Sequence, residues 1–194
     1  MGISLARKDA GGSFAAEIAM LLNIDPTLCT GCRICEVYCS LSHEQEVNPA
    51  LSRIHIHGDQ IRKILVPVTC VPCDEKRCIA ACPEAGAIFI NDKGAVVIEE
   101  SLCTGCSKCV RACLIGAISL HRLPGRGKKG LAVALKCDQC GGDPWCVRVC
   151  EPHAVTKVNA LSGGQEIHDR ILTALNHLPK MDKKPSGLGI KGQP

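Results

Sequence analysis

Large rings and long apolar runs are scarce in this chain of 194 residues. Two Phe, one Tyr and one Trp make up an aromatic content of 2%, so few big side chains can fill a core. The apolar fraction of 46% is inflated by cysteine. Without it the figure is about 38%, thin for a small domain that must bury most of its surface. No apolar run approaches the ~20 residues that cross a bilayer, so no membrane span is expected. Met1 to Asn23 holds Arg7, Lys8, Asp9 and Glu17 and has no apolar signal core. The start Met1-Gly-Ile-Ser-Leu-Ala6 has Ala where the myristoylation pattern needs Ser or Thr. The chain therefore reads as soluble and cytoplasmic. No acid–base pair, activated nucleophile or substrate pocket is legible either, and no catalytic site is expected on this chain.

What the sequence has instead is cysteine, 16 residues of it. Cys29, Cys32, Cys35 and Cys39 form a C-x2-C-x2-C-x3-C run, and Cys103, Cys106, Cys109 and Cys113 repeat it. Cys70, Cys73, Cys78 and Cys82 form a variant with four residues before the third ligand. Cys137, Cys140, Cys146 and Cys150 form another, with five. Two-residue gaps let a tight turn aim three thiolates at one iron–sulfur cubane. The fourth Cys, expected at the start of a helix, ligates the other cluster in two-cluster ferredoxins. Every cysteine is used, four per run, which points to four [4Fe–4S] clusters. Disulfides would require an oxidising compartment. Zinc sites take their ligands two by two, whereas here three cysteines crowd into seven residues. A small core stapled by metal also implies that the metal-free chain does not fold.

The formal charge of +4 would suit an acidic partner such as nucleic acid. Sixteen thiolates and four oxidised cores change that charge by about −8, leaving about −4 once metal is bound. A nucleic-acid role loses its support.

Residues 1–28 form an N-terminal extension. Ser13–Leu22 has helical spacing in Phe14, Ile18, Leu21 and Leu22, with Ser13 as the cap. The expected helix covers the module, or docks on a partner. Arg53–His57 alternates, so a strand is expected with Arg53, His55 and His57 on a solvated face and Ile54 and Ile56 inside. Histidines at i and i+2 can also bind metal, the lesser reading. Ile61–Val68 is a second β-rich run. Cys82-Pro-Glu-Ala-Gly-Ala-Ile88 and Cys113-Leu-Ile-Gly-Ala-Ile118 echo each other, Gly-Ala-Ile opening a short strand in both. Asn91–Gly94 reads as a hairpin turn, with Ala95–Ile98 returning. The runs begin at 29, 70, 103 and 137, so a strand–loop–helix–strand unit recurs at near-constant spacing. His121–Gly130 is glycine-rich and basic, by default a solvated hairpin tip, otherwise an electrostatic dock. Gly141–Trp145 must bulge outward, and Trp145 shields a cluster or packs on a partner. Ile167, Ile171, Leu175 and Leu178 predict a helix over Gln165–Leu178, ended by Pro179. Lys180–Pro194 would not fold alone; it is a disordered tail or one wrapped along a larger subunit.

Motif order and spacing over about residues 24–158 resemble the four-cluster ferredoxin-type subunits of anaerobic redox enzymes. The most specific parts are Cys70-x2-Cys73-x4-Cys78-x3-Cys82-Pro83 and the Cys137-Asp-Gln-Cys-Gly-Gly-Asp-Pro-Trp-Cys146-Val run. The resemblance implies an α+β architecture, a duplicated bacterial-type 2[4Fe–4S] ferredoxin fold over 29–158, with the N-terminal extension and a 159–194 helix and tail. It implies four ligand sets: Cys29, Cys32, Cys35 with Cys150; Cys137, Cys140, Cys146 with Cys39; Cys70, Cys73, Cys78 with Cys113; and Cys103, Cys106, Cys109 with Cys82. Proline follows only Cys82; Ser40, Leu114 and Glu151 stand at the equivalent positions. Such subunits pass single electrons between a ferredoxin-like carrier and a catalytic subunit. The short Gly-Gly-Asp-Pro insert leans toward tungsten aldehyde oxidoreductase and benzoyl-CoA reductase types. Molybdenum formate dehydrogenase, hydrogenase and carbon monoxide dehydrogenase complexes are the alternatives.

Overall fold

The computed structural model describes residues 20–71, 73–130, 132–159 and 164–178. Eight short strands and five helices alternate along them, a mixed helix–strand architecture. The strands are β1 (Met20–Ile24), β2 (Ile54–Asp59), β3 (Ile64–Thr69), β4 (Ile88–Ile90), β5 (Val96–Ile98), β6 (Ile118–His121), β7 (Val133–Lys136) and β8 (Val155–Asn159). The helices are α1 (Ile34–Glu44), α2 (Arg77–Ala81), α3 (Lys108–Ala112), α4 (Trp145–Arg148) and α5 (Gly164–Asn176).

All strand pairs are antiparallel and two-stranded. Three are local hairpins, β2–β3, β4–β5 and β6–β7, and the fourth joins the two ends, Leu22 of β1 opposite Lys157 of β8. Helices pair in the same nested way, α1 on α4 and α2 on α3. A two-stranded ribbon is marginal on its own in water, so each must bury a face. The main core gathers Leu22 and Ile24, Ile54 and Ile56, Leu65, Val66 and Val68, Val155, and Ile167 and Ile171 of α5. A second core holds Ile88, Val96, Ile118 and Ala134 with Cys78 and Cys109. Cysteines belong to both cores, so the apolar interior closes around sulfur.

The Gly-Ala-Ile repeat opens β4 and β6, and Asn91–Gly94 is the β4–β5 turn, its Asn91 carboxamide accepting from Lys93 N and Ala95 N. Helix α5 lies where the apolar spacing put it, with Ile167 and Ile171 buried.

Four expectations need correction. Leu21 and Leu22 are strand residues, not the end of a helix; pairing with β8 supplies hydrogen bonds that an isolated turn here would lack, and residues 13–19 lie outside the described chain. Arg53 is not solvated: it is 8% exposed and pairs with Glu44 at 3.0 Å, its long side chain folding beneath the β6–β7 connection. Ile61 is no strand residue but sits at the β2–β3 tip, 94% exposed, where the Asp59 carboxylate accepts from the Ile61 and Arg62 amides. The basic connection is not a free tip. Its Arg126 bonds to Glu44 and Glu100, its Lys128 to Glu84, and Lys128 N donates to Cys103 O at 2.7 Å. Opposite charges 26 to 82 residues away fold it back over the third cysteine run. The expected tail, 180–194, lies outside the described residues.

Candidate iron–sulfur cluster sites

Two of the cysteine loops are conformational near-copies. A single 3₁₀ turn precedes each first ligand, Pro26–Leu28 capped by Asp25 and Glu100–Leu102 capped by Glu99. Cys29 and Cys103 then adopt φ/ψ of −72°/122° and −71°/122°. Gly31 and Gly105 follow with φ of +72° and +68°, a region costly to residues bearing a Cβ. At Gly105 space excludes a Cβ as well, since it would lie 2.9 Å from the Ala132 carbonyl oxygen; at Gly31 it would lie 2.7 Å from the end of the Leu65 side chain, which would have to shift. Arg33 and Ser107 end each loop left-handed and start α1 and α3. The fourth ligand is therefore not at a helix start. Three intervening residues are about one helical turn, so the short helix runs from the third ligand to the fourth; Cys82 and Cys113 are C-caps of α2 and α3.

Sequence-distant cysteines converge. Cys82 lines one recess with Cys103, Cys106 and Cys109, and Cys39 lines another with Cys137, Cys140 and Cys146. Cys150 lies close enough to Cys29 to push its thiol pKa up, after burial and together with Cys32. Cys113 does the same to Cys78, alongside Cys70 and Cys73. Each run of three thus gathers a fourth sulfur from another run.

These donor sets fit a cluster better than a single ion. Tetrahedral zinc with Zn–S near 2.3 Å holds its sulfurs about 3.8 Å apart. Among the described residues, the one group of three donors within 4.8 Å of one another is His43, Asp138 and Cys140. No three sulfurs come that close, and all sixteen are free thiols. His43 and Asp138 are already bonded to each other, Nε2 to Oδ1 at 3.0 Å. The histidine pair His55 and His57 forms no such group; their rings meet edge-on at 6.4 Å.

Burial pushes the Cys35 thiol up to about 12, with Glu36 and the neighbouring sulfurs adding to it, and the Cys137 thiol likewise to about 12. Cys109 rises to about 11 for the same first reason. Such groups are neutral until metal takes their protons. Cys39 departs from the pattern. Burial opposes its thiolate, but hydrogen bonding from His43, the Arg53 amide (3.2 Å) and Ser52 outweighs it and lowers the pKa. Amides also donate to the Cys113 sulfur (Ala117 N, 3.3 Å) and the Cys137 sulfur (Gln139 N, 3.4 Å). Such bonds are among the levers that set cluster potentials.

Cys32 and Cys106 are exposed, the others buried or half-buried. Trp145 lines the Cys39 recess, stacks on Tyr38 at 5.7 Å and carries Arg148 over its ring at 4.5 Å. That position suits the expected shielding of the sulfurs from water, with one edge of the indole left open. The outward bulge at Gly141–Gly142 is pinned by Lys93 Nζ and Lys157 Nζ at 2.7 and 3.0 Å. Sequence reasoning missed three side chains beside the sulfurs. Glu36, 1% exposed, accepts from Ile56 N at 2.6 Å and from Arg33 at 3.0 Å. His43 bridges α1 to the fourth run through Asp138. Lys136, immediately before Cys137, is buried. A charged residue buried next to a ligand is a signal only once the adjoining strand is known to be interior.

Residues 62–114 match the 4Fe–4S dicluster domain family. The chain is 43% identical over 128 residues to the polyferredoxin-like subunit of aliphatic sulfonate oxidoreductase from Pyrococcus furiosus, covering 66% of this chain and 69% of that one. It is 36% identical to the electron transport protein HydN of Escherichia coli (strain K12), covering 70% of this chain and 85% of HydN. Among solved structures it is similar to a chain of the active-site complex BamBC of benzoyl coenzyme A reductase with benzoyl-CoA, at 28% identity and a TM-score of 0.39, covering 81% and 90%. That superposition is too loose to bear on the fold. Relatives named for electron transport, a dicluster domain and converging free thiols agree with iron–sulfur electron transfer and no substrate chemistry on this chain. The chain belongs to the family of 4Fe–4S dicluster, ferredoxin-like electron-transfer proteins.

Proposed function

We propose that the chain holds four [4Fe–4S] clusters in a double ferredoxin module over 29–158 and relays single electrons between a ferredoxin-like carrier and a catalytic oxidoreductase subunit. The observation that supports this best is that a cysteine of another run lies beside each run: Cys82 with the third, Cys39 with the fourth, Cys150 near Cys29 and Cys113 near Cys78. The ligand sets are Cys29, Cys32, Cys35 and Cys150; Cys137, Cys140, Cys146 and Cys39; Cys70, Cys73, Cys78 and Cys113; Cys103, Cys106, Cys109 and Cys82. The near-identical loops at Cys29 and Cys103 and the nested pairing of α1 with α4 and α2 with α3 support a duplicated fold.

When bound, the clusters supply one-electron redox chemistry at iron. The chain supplies thiolate ligands, amide bonds to sulfur, and full or partial burial of every sulfur but those of Cys32 and Cys106. Cys32 and Cys106, exposed in different sets, mark the points where electrons enter and leave. Exposed Leu28 and Leu102 immediately precede the loops that carry them, apolar contacts for a docking partner. Among the described residues no helix is long and apolar enough to cross a membrane. Free thiols throughout suit a reducing compartment such as the cytoplasm. The negative charge gained with metal argues against nucleic acid as a partner.

We assign the catalytic partner to the tungsten-pterin class, of aldehyde oxidoreductase or benzoyl-CoA reductase type. The short Gly141-Gly-Asp-Pro144 insert supports this; the sulfonate oxidoreductase relative supports a catalytic oxidoreductase partner in general. A second reading, a formate dehydrogenase or hydrogenase complex, is favoured by likeness to HydN and to formate hydrogenlyase subunit 2 of Escherichia coli (33% identical, 79% of that chain). Metal analysis of the complex isolated without air decides. About sixteen irons per copy of this chain with tungsten fits the first reading, and molybdenum or nickel the second. Zinc with little iron would overturn both.

A further inference from the structure

A buried ammonium lies between two of the cysteine sets. Lys136 ends β7, is 6% exposed, and among the described residues forms no ion pair with a carboxylate. Its Nζ donates to the carbonyl oxygens of Val96 and of Cys137, the latter at 3.0 Å. Cys70 and Cys78 of the second run and Cys137 of the fourth lie close enough for their charge to act on it. Burial works against its charge.

A cation taken out of water without a counter-charge is among the costliest things a fold can contain. Two carbonyl dipoles do not neutralise it. Once iron has taken their protons, the counter-charge is thiolate sulfur, on Cys70 and Cys78 of one set and Cys137 of the other. We propose that Lys136 is a positioning residue for electron transfer: a fixed positive charge at the seam between the Cys70–Cys73–Cys78–Cys113 and Cys137–Cys140–Cys146–Cys39 sites, making both easier to reduce. This rests on the four-cluster reading. Each added electron makes a site more negative, and a cation at the seam offsets part of that charge on both sides. Charge-matched spacing of this kind favours electron residence in the middle of the path rather than at its exposed ends.

The test is redox titration, followed by EPR, of the full chain loaded with clusters under anaerobic conditions. Lys136→Gln and Lys136→Met remove the charge, Gln keeping a donor; Lys136→Arg keeps the charge. In a neutral variant with wild-type iron content, two of the four signals should require a more negative potential. The reduced-to-oxidised ratio at a fixed potential should fall about tenfold, which is about 59 mV for a one-electron couple. The other two signals should stay in place, and Lys136→Arg should stay near wild type. Full iron with unmoved potentials, or an equal shift of all four signals, overturns the proposal and leaves the four-cluster reading intact. Should neither neutral variant retain iron, the arginine variant decides, and a tenfold loss there overturns the proposal. A wild-type chain lacking iron at these sites overturns the four-cluster reading itself.

Discussion

Cross-ligation makes an unusual prediction: cysteines close in sequence belong to different sites, and distant ones share a site. Cys35 and Cys39 are four residues apart on α1, yet Cys39 faces the recess of Cys137, Cys140 and Cys146. Cys146 is more than a hundred residues away. Replace Cys39 by alanine, then combine it with Cys35→Ala or with Cys146→Ala. Each four-cysteine site holds about four irons, so the wild type should contain about sixteen. Cys39→Ala should lower this to about twelve. Adding Cys146→Ala should cost nothing further, because that site is already gone. Adding Cys35→Ala should remove a second site and leave about eight. Mutations sharing one site are non-additive, and those in separate sites add. All three thiols lie in the same core, so general destabilisation would strike both double variants alike. The assay is iron per chain with a count of reduced-cluster spins by EPR, on protein that keeps its far-UV spectrum. If the Cys35 combination gave about twelve and the Cys146 combination about eight, local ligation would replace the nested scheme.

Gly105→Ala and Gly141→Ala share the left-handed backbone cost of about 1–2 kcal/mol, but only at Gly105 would the new Cβ strike the Ala132 backbone. Denaturant unfolding of the holo-protein should therefore show the larger loss at Gly105, and equal losses would refute the packing argument. Ile171→Ala, at a side chain with no exposure, should cost about 2–5 kcal/mol and detach α5 from β1 and β3 without reducing the iron count. His55 and His121 have buried Nε2 atoms without a partner among the described residues, and burial lowers both pKa values. Their folded pKa lies below the unfolded one, so stability is full above about pH 6.5 and declines as pH falls toward the folded values. Denaturation midpoints at pH 7.5 and 5.5 should differ less in the His55→Gln/His121→Gln double variant than in wild type.

Much of the site was legible because ligation leaves a strict trace in sequence. Spacing between cysteines is a distance constraint, and it marked every cysteine run before any fold was known. The hairpin at Asn91–Gly94 and helix α5 were legible for a related reason, since turn chemistry and apolar periodicity are local. What escaped was non-local. Leu21 and Leu22 have spacing compatible with a helix, and only their partner strand, more than 130 residues on, makes them a strand. Arg53 and Arg126 look like surface cations until Glu44 and Glu100, brought in from other elements, close around them. Lys136 was passed over for the same reason. Nothing in Ala-Leu-Lys-Cys says that all four side chains are interior.

The scarcity of aromatics and the abundance of cysteine are two sides of one solution. The second core contains six buried residues, and two of them are cysteines. Without metal those sulfurs are bulky neutral thiols around a recess, and the packing that rings would give elsewhere is missing. The thiols of Cys35, Cys109 and Cys137, held at about 12, 11 and 12, are neutral in that state. Their deprotonation without iron would put anions into an apolar interior, where charge is costly. Metal resolves both problems at once, filling the recess and balancing the thiolates. The residues that close the core are then the same ones that bring the redox centres together, so the electron path cannot be assembled separately from the fold.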